Sequence, residues 1–222
     1  TSWGVSTRLV GALIMVHGDD KGLRLPPSIA PTQVVVVPFF KTEKELDNIK
    51  LYINSHINQL TGSGVRVLLD DREKLTPGFK FNEWELKGVP VRLEIGAKEI
   101  NDNLITIYRR DINEKESISV EFVVEHISTL LEIIQENMFN QANNFMNENI
   151  FKINNYDEFK DIINKGGFIR CGWDGTDESE RKIKEDTKAT IRCIPFDESP
   201  NKTTCILTGK PAKHEVIFAK AY

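Results

Sequence analysis

The sequence predicts an α/β protein with a small α+β domain after it. A continuous β-branched run at residues 34–37 is typical of a strand that is buried on both faces in a parallel sheet. Strand-like and helix-like segments alternate over residues 32–135, as in an α/β module. Beyond residue 155, three strand-like segments are interleaved with two short helical ones, which predicts a separate α+β unit.

The elements before residue 135 follow from hydrophobic spacing and turn residues. Residues 8–16 predict a buried helix, and the prolines within residues 21–31 favour an extended linker. Residues 33–38 predict the buried strand. The next predicted elements are a helix at 43–60, a strand at 64–69, a helix at 79–87, strands at 90–95 and 104–109, and a helix at 120–135.

The rest of the chain begins with an Asn- and Gln-rich stretch at residues 135–155. We expect the helix to continue through Met138, Ala142 and Phe145 and to be followed by a linker. The later predicted elements are a helix at 156–164 stopped by two glycines, a strand at 168–171, a helix at 178–185, and strands at 190–195 and 215–219.

Composition restricts the class of protein. Of the 222 residues, 40% are apolar and 28% are charged, which is ordinary globular usage. No apolar run approaches the roughly 20 residues of a membrane span. The net charge of −4 argues against indiscriminate nucleic-acid binding but leaves a local site open. Without an initiator Met or a leader, the chain is expected to begin within a longer protein.

Residues 4–8, Gly-Val-Ser-Thr-Arg, place Arg8 between a turn of small residues and the first helix. A guanidinium forms paired hydrogen bonds with phosphate oxygens, so this arrangement suits a polyphosphate. An arginine that caps or pairs on a helix surface is the alternative. His17 and Asp19, in the turn that ends the helix, are expected to orient that turn.

A second set of candidates follows turns and strand ends between residues 70 and 98. Its members are Lys80, Phe81, Trp84, Glu85, Arg92 and Lys98. Aromatic faces stack on unpaired RNA bases, a carboxylate accepts from a guanine edge, and Arg or Lys holds phosphates or base acceptors. The alternative is a solvated charged face around a Phe/Trp core. Residues 66–115 carry ten basic and ten acidic residues, so charge does not decide between them.

The three cysteines, Cys171, Cys193 and Cys205, lie 22 and 12 residues apart, without a close pair. Structural zinc takes four ligands, usually in such pairs, so the spacing predicts ordinary thiols, with Cys193 buried. An odd number of cysteines argues against a disulfide framework, and a cytoplasmic location is expected.

In this order, the segments resemble the C-terminal part of the prolyl-tRNA synthetase family, class II aminoacyl-tRNA synthetases, in its archaeal/eukaryotic-like form. Residues 1–31 resemble the third class II motif, residues 70–98 the anticodon-binding domain, and residues 173–212 the terminal domain. The resemblance implies the end of a catalytic domain at 1–31, a mixed-sheet anticodon-binding domain of the class IIa type at 32–135, and a small α+β terminal domain at 136–222.

The resemblance also implies residue roles. Arg8 would be catalytic, lying against the ATP phosphates, with Trp3, Gly4 and Thr7 completing an ATP-binding pocket. The anticodon-binding residues would be Phe81, Glu85, Arg92 and Lys98, which would face the guanines that mark proline, joined by a lysine near Lys115. Trp84 is expected to pack inside. The carboxylate of Tyr222 would point toward the active site, or the terminal segment would pack for stability only.

In the terminal domain, many members of the archaeal/eukaryotic-like type have four zinc cysteines. Asp174, Ser179 and Thr208 stand at three of the ligand positions and only Cys205 remains, so the resemblance implies a metal-free copy. The full enzyme would be a homodimer that activates proline with ATP and Mg²⁺ and ligates it to tRNA(Pro). Without motifs 1 and 2, this chain alone is predicted to be inactive.

Two alternatives are an accessory tRNA-binding module without catalysis and a fragment of another class IIa synthetase, such as those for threonine, histidine or glycine. Retention of Arg8 and of the set at 80–98 argues against the first. The string at residues 84–92 and the terminal domain argue against the second. The central expectation is that Phe81, Glu85, Arg92 and Lys98 share one accessible surface.

Overall fold

The computed structural model describes residues 3–200 and 203–220. The chain divides into two compact units, unit 1 (Thr1–Asn140) and unit 2 (Gln141–Tyr222). Tyr222, for which the alternatives are a carboxylate near the active site and a tail packed for stability, lies outside the described residues. No helix in the part of the chain that is described has the length and apolar content of a membrane span.

Unit 1 is built around a mixed sheet. Its elements are α1 (Arg8–His17), β1 (Gly18–Asp19), β2 (Gly22–Leu23), β3 (Val34–Pro38), α2 (Glu43–Gly62), β4 (Val67–Leu69), α3 (Pro77–Leu86), β5 (Val91–Ile95), α4 (Ala97–Asp102), β6 (Leu104–Arg109), β7 (Glu114–Ser119) and the first part of α5 (Val123–Glu148). The sheet order is β4-β3-β5-β6-β7. The strands β4, β3 and β5 are parallel, and β6 and β7 continue the sheet antiparallel.

The strand β3, which lies between β4 and β5, is buried on both faces, as its four valines predict. Val34 and Val36 pack with α2 and α5, whereas Val35 and Val37 pack with α3. The second face holds a smaller apolar cluster than the first. The rest of that face can therefore carry polar side chains.

Most predicted helices are confirmed. Helix α5 continues through Met138, Ala142 and Phe145, as predicted, and ends at Glu148. The prediction of a buried α1 is wrong. No residue of α1 is buried, and Leu9 and Val10 are 56% and 61% exposed. An apolar face is buried only when a second surface covers it, and the described residues supply none for α1.

Five elements are absent from the predictions: β1 and β2, which form a hairpin, α4, β7 and β8 (Ile150–Lys152). Residues 18–23 form a hairpin instead of opening the predicted linker. The sequence of β7, Glu-Lys-Glu-Ser-Ile-Ser, lacks apolar alternation because this edge strand is mostly exposed. The prediction of a linker after α5 is wrong at residues 150–152, which form β8. This strand pairs in parallel with the strand predicted at residues 168–171.

Unit 2 is the small α+β unit that the sequence predicts. Its elements after β8 are α6 (Tyr156–Lys165), β9 (Phe168–Trp173), α7 (Asp177–Thr187), β10 (Ala189–Cys193) and β11 (His214–Lys220). The strand order is β10-β11-β9-β8. Gly166, with φ of 93°, ends α6 in a conformation that favours glycine. Phe159, Ile183 and Phe218 belong to the core between the helices and the sheet.

Candidate nucleic-acid interface

Helix α3 carries two of the candidate residues, Phe81 and Glu85, and is fixed to the sheet through Asp70. Thr76 caps its N-terminus, where the side chain accepts from the Phe79 amide at 3.3 Å. Asp70, directly after β4, accepts a hydrogen bond from Trp84 Nε1 at 2.8 Å. Its backbone carbonyl accepts from Lys80 Nζ, also at 2.8 Å. These bonds hold one side of α3 against the end of β4.

The Asp70 site is a buried ion-pair network. Burial disfavours the carboxylate, but hydrogen bonds from Arg72 and Trp84 and the nearby Lys80 charge outweigh it and lower the pKa of Asp70 to about 2. Lys80 is only 1% exposed, so it is a positioning residue for α3 and not an accessible binding residue. Trp84 packs inside, as expected, and is therefore not available to stack on a base.

Arg92 makes more side-chain contacts than the other candidates of this surface. Its Nη1 donates to Glu85 Oε1 at 2.9 Å, and its Nε and Nη2 donate to Glu94 Oε1 at 3.0 and 2.9 Å. The guanidinium carbon lies 3.8 Å from the ring centroid of Phe81 and 4.1 Å from that of Tyr108. Such contacts with aromatic faces stabilise a cation beyond its hydrogen bonds.

Register explains how these side chains meet. Val35, Arg92, Tyr108 and Lys115 are successive partners across β3, β5, β6 and β7. They therefore share the face that α3 partly covers. Lys115 Nζ lies 2.7 Å from Glu94 Oε2 and 5.5 Å from the Phe81 ring centroid. The structure thus adds Lys115 to the group.

We call this group the Arg92 cluster. Its members are Phe81, Glu85, Arg92, Glu94, Tyr108 and Lys115. Glu94 and Tyr108 are missing from the sequence-based candidates. The i, i+2 spacing of Arg92 and Glu94 on one strand was the signal that could have found Glu94. Tyr108 could not be found without the pairing of β5 with β6.

The expectation of one accessible surface for all four candidates is wrong in two respects. The Arg92 side chain is only 5% exposed, because Glu85 and Phe81 of α3 cover it. The carboxylates of Glu85 and Glu94 also neutralise its charge. Lys98 is exposed on α4, and its side chain has no hydrogen bond or ion pair with any described residue. It follows the carboxyl end of β5, at the edge where Phe39 contacts Phe81 with ring centroids 5.6 Å apart. Lys98 thus lies at the same edge of the sheet without joining the cluster.

The cluster offers hydrogen-bond acceptors more than positive charge. Glu85 and Glu94 are matched by Arg92 and Lys115, so the group has no net charge. Glu85 Oε2 accepts no hydrogen bond from any residue in the described ranges, and the side chain is 16% exposed. A carboxylate that is held in place with one free oxygen can accept from the N–H groups of a base edge.

The N-terminal candidates form no comparable site among the described residues. Trp3, Gly4, Thr7 and Arg8 are all exposed, with Trp3 at 93%. Arg8 is the first residue of α1 and makes no ion pair with a described residue, so the helix-surface pairing alternative finds no support there. Their assignment to an ATP pocket stays a prediction.

Unit 2 holds a hydrogen-bonded network at the positions where the resemblance implies lost zinc ligands. Asp174 Oδ1 accepts from Ser179 Oγ at 2.6 Å and from Thr176 Oγ1 at 2.9 Å, and Oδ2 accepts from Thr208 Oγ1 at 3.0 Å. Burial opposes the charge, but these bonds outweigh it and lower the pKa of Asp174 to about 2.

The donor set does not fit structural zinc. Zinc in proteins is bound by Cys, His and carboxylate groups, whereas two of these positions offer hydroxyls already bonded to Asp174. Cys171 and Cys205 are buried, and burial raises the pKa of the Cys171 thiol to about 12. The prediction that Cys193 is buried is wrong, because it lies at a register irregularity of the edge strand β10.

Comparison with known proteins agrees with this architecture. Residues 33–130 match the family described as an anticodon binding domain, and residues 156–222 match the family described as the C-terminal domain of prolyl-tRNA synthetase. The fold and the matched families therefore define the class as the anticodon-binding and terminal domains of a class II aminoacyl-tRNA synthetase.

Similar proteins narrow the class to one family. Proteins named proline–tRNA ligase from Phocaeicola vulgatus and Flavobacterium johnsoniae are both 50% identical to this chain, and one from Christiangramia forsetii is 48% identical. Each alignment covers 100% of this chain and 45% of the relative. The chain belongs to the prolyl-tRNA synthetase family and corresponds to the C-terminal portion of its members. It spans less than half the length of these curated relatives.

Proposed function

We propose that this chain is the tRNA-recognising part of a proline–tRNA ligase and that it binds the anticodon of tRNA(Pro). The observation that carries the proposal is Glu85, whose Oε1 is fixed by Arg92 while Oε2 has no bond to a described residue. Guanine presents N–H donors on its Watson–Crick edge, which a fixed carboxylate can accept. The anticodon guanines implied by the family resemblance are such a partner.

Each candidate then has a separate role. Glu85 accepts from a guanine, and the half-buried Phe81 offers an edge or face for base stacking. Arg92 acts through Glu85 and Glu94 as a positioning residue, because its hydrogen bonds are directed to them. The exposed Lys98 contacts a phosphate, for which a flexible point charge is suited.

The test is binding of fluorescent RNA stem-loops to the 222-residue chain. One RNA carries the proline anticodon, and its partner has adenines in place of the anticodon guanines. Glu85→Gln should reduce the preference for the proline loop about tenfold, since one good base contact is worth about 1–3 kcal/mol. Lys98→Gln should weaken the binding of both RNAs alike. It should also lower the number of counterions released on binding, read from the salt dependence of the affinity, by about one.

A matched control is Glu121→Gln, which removes the same charge from an exposed residue without a hydrogen bond to the described chain. It should leave the preference unchanged. If wild type binds both RNAs equally, or if Glu121→Gln and Glu85→Gln have the same effect, anticodon recognition through Glu85 is wrong.

We further propose that the whole protein activates proline with ATP and Mg²⁺ and transfers it to tRNA(Pro), as a cytoplasmic homodimer. Arg8 would be the catalytic residue at the ATP phosphates, with Trp3, Gly4 and Thr7 beside it. The exposed apolar residues of α1 support this proposal, since a surface of that kind suits packing against another domain. The 222-residue chain alone should show no proline-dependent pyrophosphate exchange, and measurable exchange would contradict this division of labour.

A further inference from the structure

A buried arginine outside the Arg92 cluster connects the N-terminal hairpin to the sheet. Arg110, directly after β6, has a side chain that is 1% exposed. Its Nη1 donates to Asp19 Oδ2 at 2.8 Å and its Nη2 donates to Asp19 Oδ1 at 2.5 Å. Nη2 also donates to the carbonyl of Gly22 at 3.3 Å. This bidentate pair fixes the β1–β2 hairpin, because a guanidinium fork accepts only one orientation of a carboxylate.

The same hairpin lies directly on the end of α3 that carries Glu85. Gly22 has φ of +132°, and a Cβ at this position would lie 2.9 Å from the Glu85 carbonyl oxygen and in contact with Leu86 Cα. Only glycine allows such an approach of two backbones. The amide of Leu25, just beyond the hairpin, donates to the carbonyl of Gly88 at 3.2 Å. A shift of the hairpin would therefore move the C-terminal turn of α3.

Side chains provide a second connection between Arg110 and Glu85. Asn113 Oδ1 accepts from Arg110 Nη1 at 3.3 Å and from the Tyr108 hydroxyl at 2.7 Å. The ring of Tyr108 contacts the Arg92 guanidinium, which in turn holds Glu85. The hairpin thus meets Glu85 through the α3 backbone and through this line of side chains.

We propose that the β1–β2 hairpin positions Glu85 for base recognition and that Asp19 and Arg110 are the positioning residues. The inference rests on the proposed anticodon function and extends it to residues distant from the RNA-facing group. The hairpin directly follows α1, which begins with Arg8. The Asp19–Arg110 ion pair therefore helps to fix both the C-terminal end of α1 and Glu85.

The experiment measures the same two stem-loop RNAs on the 222-residue chain with Asp19→Asn, Glu85→Gln and the double variant. Asp19→Asn should reduce the preference for the proline loop about fivefold, within the range found for residues that act through a packed network. In the Glu85→Gln background it should have no further effect, because the residue through which it acts has lost its charge. Thermal unfolding of each variant is recorded in parallel.

The control is Asp20→Asn, which removes the same charge from the residue next to Asp19. The Asp20 side chain has no bond to a described residue. It should leave the preference unchanged. If Asp19→Asn does not fold, Arg110→Lys keeps the charge, loses the fork and should give the same non-additive loss of preference.

The outcomes separate the two proposals. If Glu85→Gln leaves the preference unchanged, the proposed anticodon function fails. If Glu85→Gln reduces it while Asp19→Asn and Arg110→Lys do not, only the positioning role fails. Positioning through Glu85 would also be contradicted if Asp19→Asn weakened the binding of both RNAs equally. The same holds if the losses of preference in Asp19→Asn and Glu85→Gln added up in the double variant.

Discussion

Arg92→Met offers the sharpest stability prediction for the Arg92 cluster. The substitution removes three hydrogen bonds of 2.9 to 3.0 Å from two carboxylates and takes away a cation that is only 5% exposed. Deleting one partner of a buried ion pair costs about 3–5 kcal/mol, because the other charge is left uncompensated. Glu94 keeps Lys115 and Glu85 is partly hydrated, so we expect a loss of about 3 kcal/mol.

Lys115→Met is the matched control, since both cations pair with Glu94. Its side chain is 49% exposed, and such a pair contributes only about 0–1 kcal/mol. Arg92→Lys should lie between the two, because it keeps the charge but loses the fork. The assay is native-state hydrogen exchange of the β3 and β5 amides, which reports on unit 1 alone.

The test compares the loss of stability on removing Arg92 with the loss on removing Lys115. We expect Arg92→Met to lower the unfolding free energy of unit 1 by clearly more than Lys115→Met. Equal costs for the two substitutions would mean that Arg92 is not the charge that holds the two carboxylates together.

Two further predictions concern carboxylates whose pKa lies near 2. For Asp70, the lowering from 3.8 to about 2 stabilises the folded chain by about 2 kcal/mol above pH 4, and this is lost as the pH falls toward 2. Asp70→Asn should therefore be less stable than wild type at pH 7, and the difference in urea unfolding should shrink at pH 2.5. Asp174→Ala should destabilise unit 2 by about 1–3 kcal/mol in hydrogen exchange of β9 and β11, because it removes the acceptor of three hydroxyl groups. Elemental analysis of wild type should find no stoichiometric zinc, and one equivalent would contradict the metal-free account.

The fold was largely predictable where local pattern and burial agree. The valines of β3 predict a strand buried on both faces, and the spacing in α2 and α5 predicts helices that pack on the sheet. The polar edge strand β7 could not be predicted in this way, since its stability comes from pairing with β6 and not from apolar alternation.

The site was predictable only in part. Alternation in β5 places Arg92 and Glu94 on one face, but it does not tell what covers that face. Helix α3 covers that face. Asp70 holds α3 in place through hydrogen bonds with Lys80 and Trp84, and these contacts between separate elements leave no local signal in the sequence. The Asp19–Arg110 pair joins residues 91 positions apart, and no local pattern signals a contact at that distance.

The central claim is that anticodon bases bind beside α3 at the Arg92 cluster. The most direct measurement is NMR mapping of amide shifts in the isotope-labelled chain as the proline anticodon stem-loop is added. We expect the largest shifts in α3, in β5 to β7 around the Arg92 cluster and at Lys98. Shifts confined to α2 or to unit 2 would contradict it.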